Sequence, residues 1–116
     1  AKAVAACQQP EGYWTRSLLD PEHAPGPETS GTAFFTYGLL WGMNNGFLDK
    51  ATYQPVVEKA WKYLTTVALQ PDGRIGYVQP IGEKAIPGQV VDANSTANFG
   101  VGAFLLAACE MVRFLD

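Results

Sequence analysis

Histidine is all but absent from this sequence: His23 is the only one, and it lies in the proline-rich stretch Asp20 to Glu28. A lone loop histidine is ordinarily solvated, and it has no partner at metal-ligand spacing. Cysteine is nearly as scarce. Cys7 and Cys109 each close an Ala-Ala-Cys triplet, a setting that suits small thiols packed between helices and argues against a disulfide framework or a metal centre. Charge is thin as well, at 16% of residues with a net of −3. The eight basic side chains stand singly, so no basic stripe exists for nucleic acid or an anionic membrane surface, and both partners are set aside. The longest apolar stretch, Phe99 to Cys109, has about half of the ~20 residues that a membrane span needs. A glycine-rich phosphate loop and a nucleophile elbow are also missing, and no residue pattern calls for a cofactor.

What remains is a globular chain. Its 116 residues are 47% hydrophobic, enough for one core. Ala1 to Gln8 reads as a helical stub that starts without a cap, which leads to the expectation of a fragment. Thr32 to Gly42 is apolar on almost every side and predicts a helix enclosed by others. Thr52 to Leu69 places Tyr53, Val56, Val57, Ala60, Trp61 and Leu64 on one stripe with charged residues opposite, the pattern of an outer, amphipathic helix. Asp49 is its expected cap, with Pro55 in or near the first turn. Ser95 to Leu115 is again apolar nearly all round and small-residue rich, a second inner helix.

Two long connectors, Gln9 to Ser30 and Gln70 to Asn94, join outer to inner helices. They resemble each other: Gln9-Pro-Glu-Gly12 recurs as Gln70-Pro-Asp-Gly73, each followed by an aromatic or β-branched run. This marks a repeated helical hairpin. Loops of such length in a helical domain are usually functional. Because successive helices run antiparallel, both long loops are expected on one face, beside the N-termini of the inner helices, whose positive ends favour anionic ligands. Two hairpins form an arc of a ring and leave open apolar edges.

The candidate chemistry gathers on that face. Trp14 offers a flat apolar surface for a sugar ring and Arg16 a fork for a carboxylate. Thr29, Ser30 and Thr32 offer hydroxyls at a helix N-terminus. These five are the candidate substrate-binding residues. A purely structural reading stands beside it: Trp14 as a loop anchor and Thr29 or Ser30 as an N-cap. Asp92, Asn94, Ser95 and Asn98 cluster at the second inner helix, where capping is the expected role, and Trp41 and Trp61 read as core. Among the eleven carboxylates none has a sequence setting that raises its pKa for acid catalysis, and no glycosidase-type pair is identifiable. Glu28 and Asp92 lie closest to the candidate face; Glu110 is expected toward the far end of its helix.

The segments Gly12–Pro21 (GYWTRSLLDP), Glu28–Asp49 (ETSGTAFFTYGLLWGMNNGFLD), Tyr53–Leu64 (YQPVVEKAWKYL) and Asn98–Glu110 (NFGVGAFLLAACE) resemble, in order, the C-terminal part of glycoside hydrolase family 105, the unsaturated rhamnogalacturonyl hydrolases. Family 88, the unsaturated glucuronyl hydrolases, is the near neighbour. The resemblance implies an all-α fold, part of an (α/α)6 toroid of about two hairpins whose long loops carry short β-strands. It implies a bacterial glycosidase that removes a Δ4,5-unsaturated uronic acid from oligosaccharides left by a polysaccharide lyase. An aspartate protonates the vinyl-ether double bond and activates water, and the hemiketal collapses. That aspartate matches no position here, so the catalytic residue is expected upstream and the partner of this piece is the remainder of the barrel. A secreted or periplasmic location is expected, with the cytoplasm as alternative. A noncatalytic glycan-binding or scaffold module, or another toroid enzyme such as an epimerase, are the alternatives; an epimerase would place histidines near the pocket.

Overall fold

The computed structural model describes residues 1–116. Its elements are α1 (Lys2–Ala6), α2 (Thr29–Asn44), α3 (Lys50–Tyr63) and α4 (Asn98–Leu115), with one 3-10 turn at Pro21–His23. The chain is all-α. The short strands expected in the long loops do not form; pairing there stops at two isolated antiparallel bridges, Trp14 with Glu28 and Leu69 with Ile75.

The helix boundaries show what apolar counting misses. α2 starts three residues before the apolar pattern because the Glu28 carboxylate accepts from the N–H groups of Ser30 and Gly31, satisfying the free donors of a first turn made of poor helix formers. α3 starts on Asp49, as expected, whose carboxylate accepts from Thr52 N at 2.9 Å and Thr52 Oγ1 at 2.6 Å. Pro55 lies inside this helix. Beyond Tyr63 the helix widens into a π-helical turn, Leu64–Ala68, with Leu69 N donating to the Leu64 carbonyl at 3.0 Å. α4 starts at Asn98 rather than Ser95. Ser95 is held in a turn with Asp92 instead, through Ser95 N to Asp92 O at 2.9 Å and Asp92 N to Ser95 Oγ at 2.9 Å; local side-chain bonds of this kind compete with helix.

The two apolar helices, α2 and α4, pack along each other most extensively, and α3 lies against α2. Small residues are buried on both helices: Ala33 of α2 and Ala103 of α4 share one core cluster, and Ala107 is buried one turn further along α4. Gly100 leaves no room for a Cβ beside the Val78 side chain. Enclosure is one-sided, however. Phe34 and Trp41 of α2, and Val101, Leu105, Val112 and Leu115 of α4, are exposed. Trp41, expected in the core, instead stacks on Phe47 with ring centroids 5.5 Å apart and planes 7° off parallel. By length and composition α4 could cross a bilayer, yet one of its faces is committed to α2. The other is apolar and open.

The repeat read from the sequence is a repeat of backbone structure. Gln9 N donates to Tyr13 O and Gly12 N to Gln9 O, both at 2.9 Å; Gln70 N donates to Arg74 O at 2.8 Å and Gly73 N to Gln70 O at 2.9 Å. Gly12 and Gly73 take φ of 100° and 89°, a region that favours glycine.

Candidate pocket wall

The two long loops meet on one face, as the antiparallel order of helices requires. Thr29 N donates to the Tyr77 carbonyl at 2.7 Å, and Gln79 N to Glu28 Oε2 at 2.9 Å. Between the loops lies a cavity of about 370 Å³, lined by Arg16, Ser30, Gln79, Phe99, the segment 80–86 and Gln89.

Arg16 reaches across this cavity. Its guanidinium donates to Gln89 Oε1 at 2.8 Å, with longer contacts to the carbonyls of Gln89 at 3.4 Å and Ile86 at 3.5 Å. The side chain is only partly buried, so this arginine both braces the second loop and presents charge to the cavity. Glu83 and Lys84 add one exposed charge of each sign at the rim.

Behind the wall stands Glu28, 2% exposed. Its carboxylate accepts from Ser30 N at 3.1 Å, Gly31 N at 2.7 Å, Gln79 N at 2.9 Å and Ser30 Oγ at 2.7 Å. Such charge-assisted bonds are the strong ones. The positive end of α2 therefore meets the chain's own carboxylate, and the anionic ligand expected at that helix end finds the site occupied.

Thr29 and Thr32 are fully buried. Thr29 Oγ1 donates to the Gly76 carbonyl at 2.7 Å and accepts from the Tyr63 hydroxyl at 2.8 Å. Burial pushes the Tyr63 phenol well above its ordinary range. Thr32 Oγ1 donates to the Glu28 carbonyl at 2.7 Å and accepts from Trp14 N at 3.0 Å. Trp14 is 1% exposed; its indole N–H donates to the Val4 carbonyl at 2.8 Å, and its ring meets Phe35 edge-on at 5.2 Å.

The five candidate residues thus divide. Arg16 and Ser30 line the cavity, whereas Trp14, Thr29 and Thr32 lie behind it with their polar groups engaged inside the chain. Trp14 has no face to offer a sugar, because large aromatic area that is already packed cannot stack again. His23 is exposed, with Nε2 3.4 Å from the Ala85 carbonyl. Sequence reading passed over Gln79 and Gln89 and gave Glu28 no role. The signal for Glu28 was its place before Thr-Ser-Gly, masked because glutamate ranks low among N-caps. Tyr77, with φ of 62°, was also unmarked; its N–H donates to Asp92 O at 2.8 Å. Asp92 and Ser95 hold that turn, and Ala97 precedes α4 without a side-chain cap. At the opposite end of α4, Glu110 is buried and accepts from Asn44 Nδ2 at 2.8 Å and Arg113 at 2.7 Å, a structural tie far from the cavity.

Comparison with known proteins agrees with the fold. An unsaturated 3S-rhamnoglycuronyl hydrolase of Formosa agariphila is 44% identical over 113 residues, covering 97% of this chain and 29% of its own length. Among solved structures, a family 88 glycosyl hydrolase from Bacteroides vulgatus is 78% identical with a TM-score of 0.92, over 97% of this chain and 32% of that one. A protein described as a polysaccharide lyase is 88% identical with a TM-score of 0.92, over 98% and 32%. A possible family 105 member from Salmonella enterica, 24% identical, superposes with a TM-score of 0.84 over 99% of this chain and 30% of its own length, which identifies the helices as an arc of the same toroid. The chain spans less than a third of the length of these proteins. The family model of glycosyl hydrolase family 88 matches residues 1–115, and the chain belongs to that family.

Proposed function

We propose that the protein of full family length built on this chain removes a terminal Δ4,5-unsaturated uronic acid from an oligosaccharide by hydrating its vinyl-ether double bond. This chain supplies one wall of the sugar pocket. The observation that carries the reading is the cavity between the paired loops, with Arg16 and Ser30 on its surface, in a chain of family 88. A guanidinium suits the uronate carboxylate. The aspartate that the family resemblance assigns to proton transfer matches no position here, so the proton donor comes from the remainder of the barrel, and this chain alone is inactive. The resemblance of Glu28–Asp49 to family 105 favours a rhamnose-linked substrate from pectin or a related polysaccharide. A bacterial, secreted or periplasmic enzyme fits such a substrate.

A second reading is favoured by one observation, the 88% identical protein described as a polysaccharide lyase. The two reactions oppose each other at the double bond: a lyase creates it by elimination, whereas hydration consumes it. With an unsaturated glucuronyl-rhamnose disaccharide, the proposal expects ultraviolet absorbance of the conjugated acid to fall and label from isotopic water to enter the released uronic acid. Rising absorbance on intact polysaccharide, with no turnover of the disaccharide, would replace hydration by elimination.

A further inference from the structure

We infer that Glu28 fixes the chemical sense of the contact Ser30 offers the cavity, so that this position selects a sugar hydroxyl and turns away anionic oxygens. The inference rests on the function proposed above and deepens it by assigning ligand groups to two places on the wall. Glu28 is met by three backbone N–H groups, those of Ser30, Gly31 and Gln79. Backbone N–H groups only donate, so both carboxylate oxygens act as acceptors. Ser30 Oγ lies 2.7 Å from one of these oxygens and 3.0 Å from the other. The proton in that contact is the serine's.

A hydroxyl has a single proton and two lone pairs. With its proton committed to Glu28, Ser30 keeps only lone pairs for the cavity it lines. A ligand group that meets it must donate. A sugar O–H does so; a carboxylate or sulfate oxygen has no proton to give and faces the lone pairs of an oxygen backed by a carboxylate. Arg16 is the reverse, a donor without acceptor capacity. The two residues therefore sort a uronyl sugar by polarity, with its anionic group toward Arg16 and a ring hydroxyl toward Ser30. Glu28 never touches the ligand and is a positioning residue.

The test uses the full-length enzyme, an unsaturated glucuronyl disaccharide, and analogues in which one ring hydroxyl is replaced by hydrogen. Ser30→Ala is expected to raise KM roughly tenfold while kcat stays within about twofold, the size of one neutral hydrogen bond made equally in ground and transition states. One deoxy analogue is expected to show the same loss on the parent enzyme and no further loss on Ser30→Ala. Glu28→Gln places an amide donor against Ser30 and is expected to raise KM in the parent but not in a Ser30→Ala background. A structural role alone would lower Tm in both backgrounds and leave KM of the folded fraction unmoved. If Glu28→Gln does not fold, the Ser30→Ala and deoxy series decides the matter. An active enzyme whose KM ignores Ser30→Ala overturns this inference and leaves the proposed function standing. A parent enzyme that does not consume the disaccharide overturns both.

Discussion

At the scale of single residues, chemical type and chemical duty part company. Trp14 has the composition of a sugar platform, yet its indole is packed on Phe35 and bonded to Val4. Its removal therefore acts on stability. Trp14→Ala in the full-length protein is expected to cost about 3–5 kcal/mol in denaturant titration, the range for a buried large-to-small aromatic change. Unchanged stability with a raised KM would restore the platform role. Tyr63 gives a pH signature. Burial raises its folded-state pKa above the unfolded value of 10.0, so the folded chain holds this proton more tightly. That contribution is complete below pH 10 and is lost as pH rises toward the folded value. Alkaline unfolding is expected to steepen above pH 10, and Tyr63→Phe to remove that part of the slope; identical alkaline profiles for the two proteins would refute the assignment.

At the scale of elements, the repeated turns offer a matched comparison. Gly12 and Gly73 occupy the same place in the two Gln-Pro-acid-Gly turns, and both have positive φ. A Cβ on Gly12 would press into the Lys59 carbonyl on α3, whereas one on Gly73 would meet open space. Gly73→Ala is thus expected to cost about 1–2 kcal/mol for conformation alone. Gly12→Ala adds a clash with an outer helix and is expected to be clearly the worse of the two in urea titration. Equal losses would show that Gly12 is no more tightly seated than its repeat. The repeat was legible in the sequence as a four-residue pattern. Its asymmetry was not, because which turn lies against α3 depends on how the hairpins stack.

At the scale of the whole molecule, the open faces of α2 and α4 expose residues that water disfavours. Leu105 is 57% exposed on α4, and its surroundings on that face are apolar. In a protein of full family length the remaining helices of the ring are expected to cover it. Leu105→Glu is then expected to lower stability by about 2 kcal/mol or more, as for a charge forced into an apolar contact, with Tm as the measurement. A Tm unmoved by the substitution would mean that this face stays wet and that the ring closes elsewhere. The apolar face of a helix reads plainly from its sequence, but apolar surface alone does not say which neighbour covers it.

Helix identity, the cap at Asp49, the repeat and the shared face of the two long loops followed from the sequence alone. They depend on periodicity and on the alternation of helix direction, which are properties of chain order. Which side chains face the cavity was decided only by tertiary structure. Trp14, Arg16, Thr29, Ser30 and Thr32 sit within one short span, but the second loop brings Tyr77 and Gln79 against Thr29 and Glu28. That distant contact closes over Thr29, while Trp14 and Thr32 are sealed within the first hairpin, and it leaves Arg16 and Ser30 lining the cavity. Glu28 owes its place to the same closure: its fourth donor, Gln79 N, comes from the other repeat, and no local pattern could have placed it there.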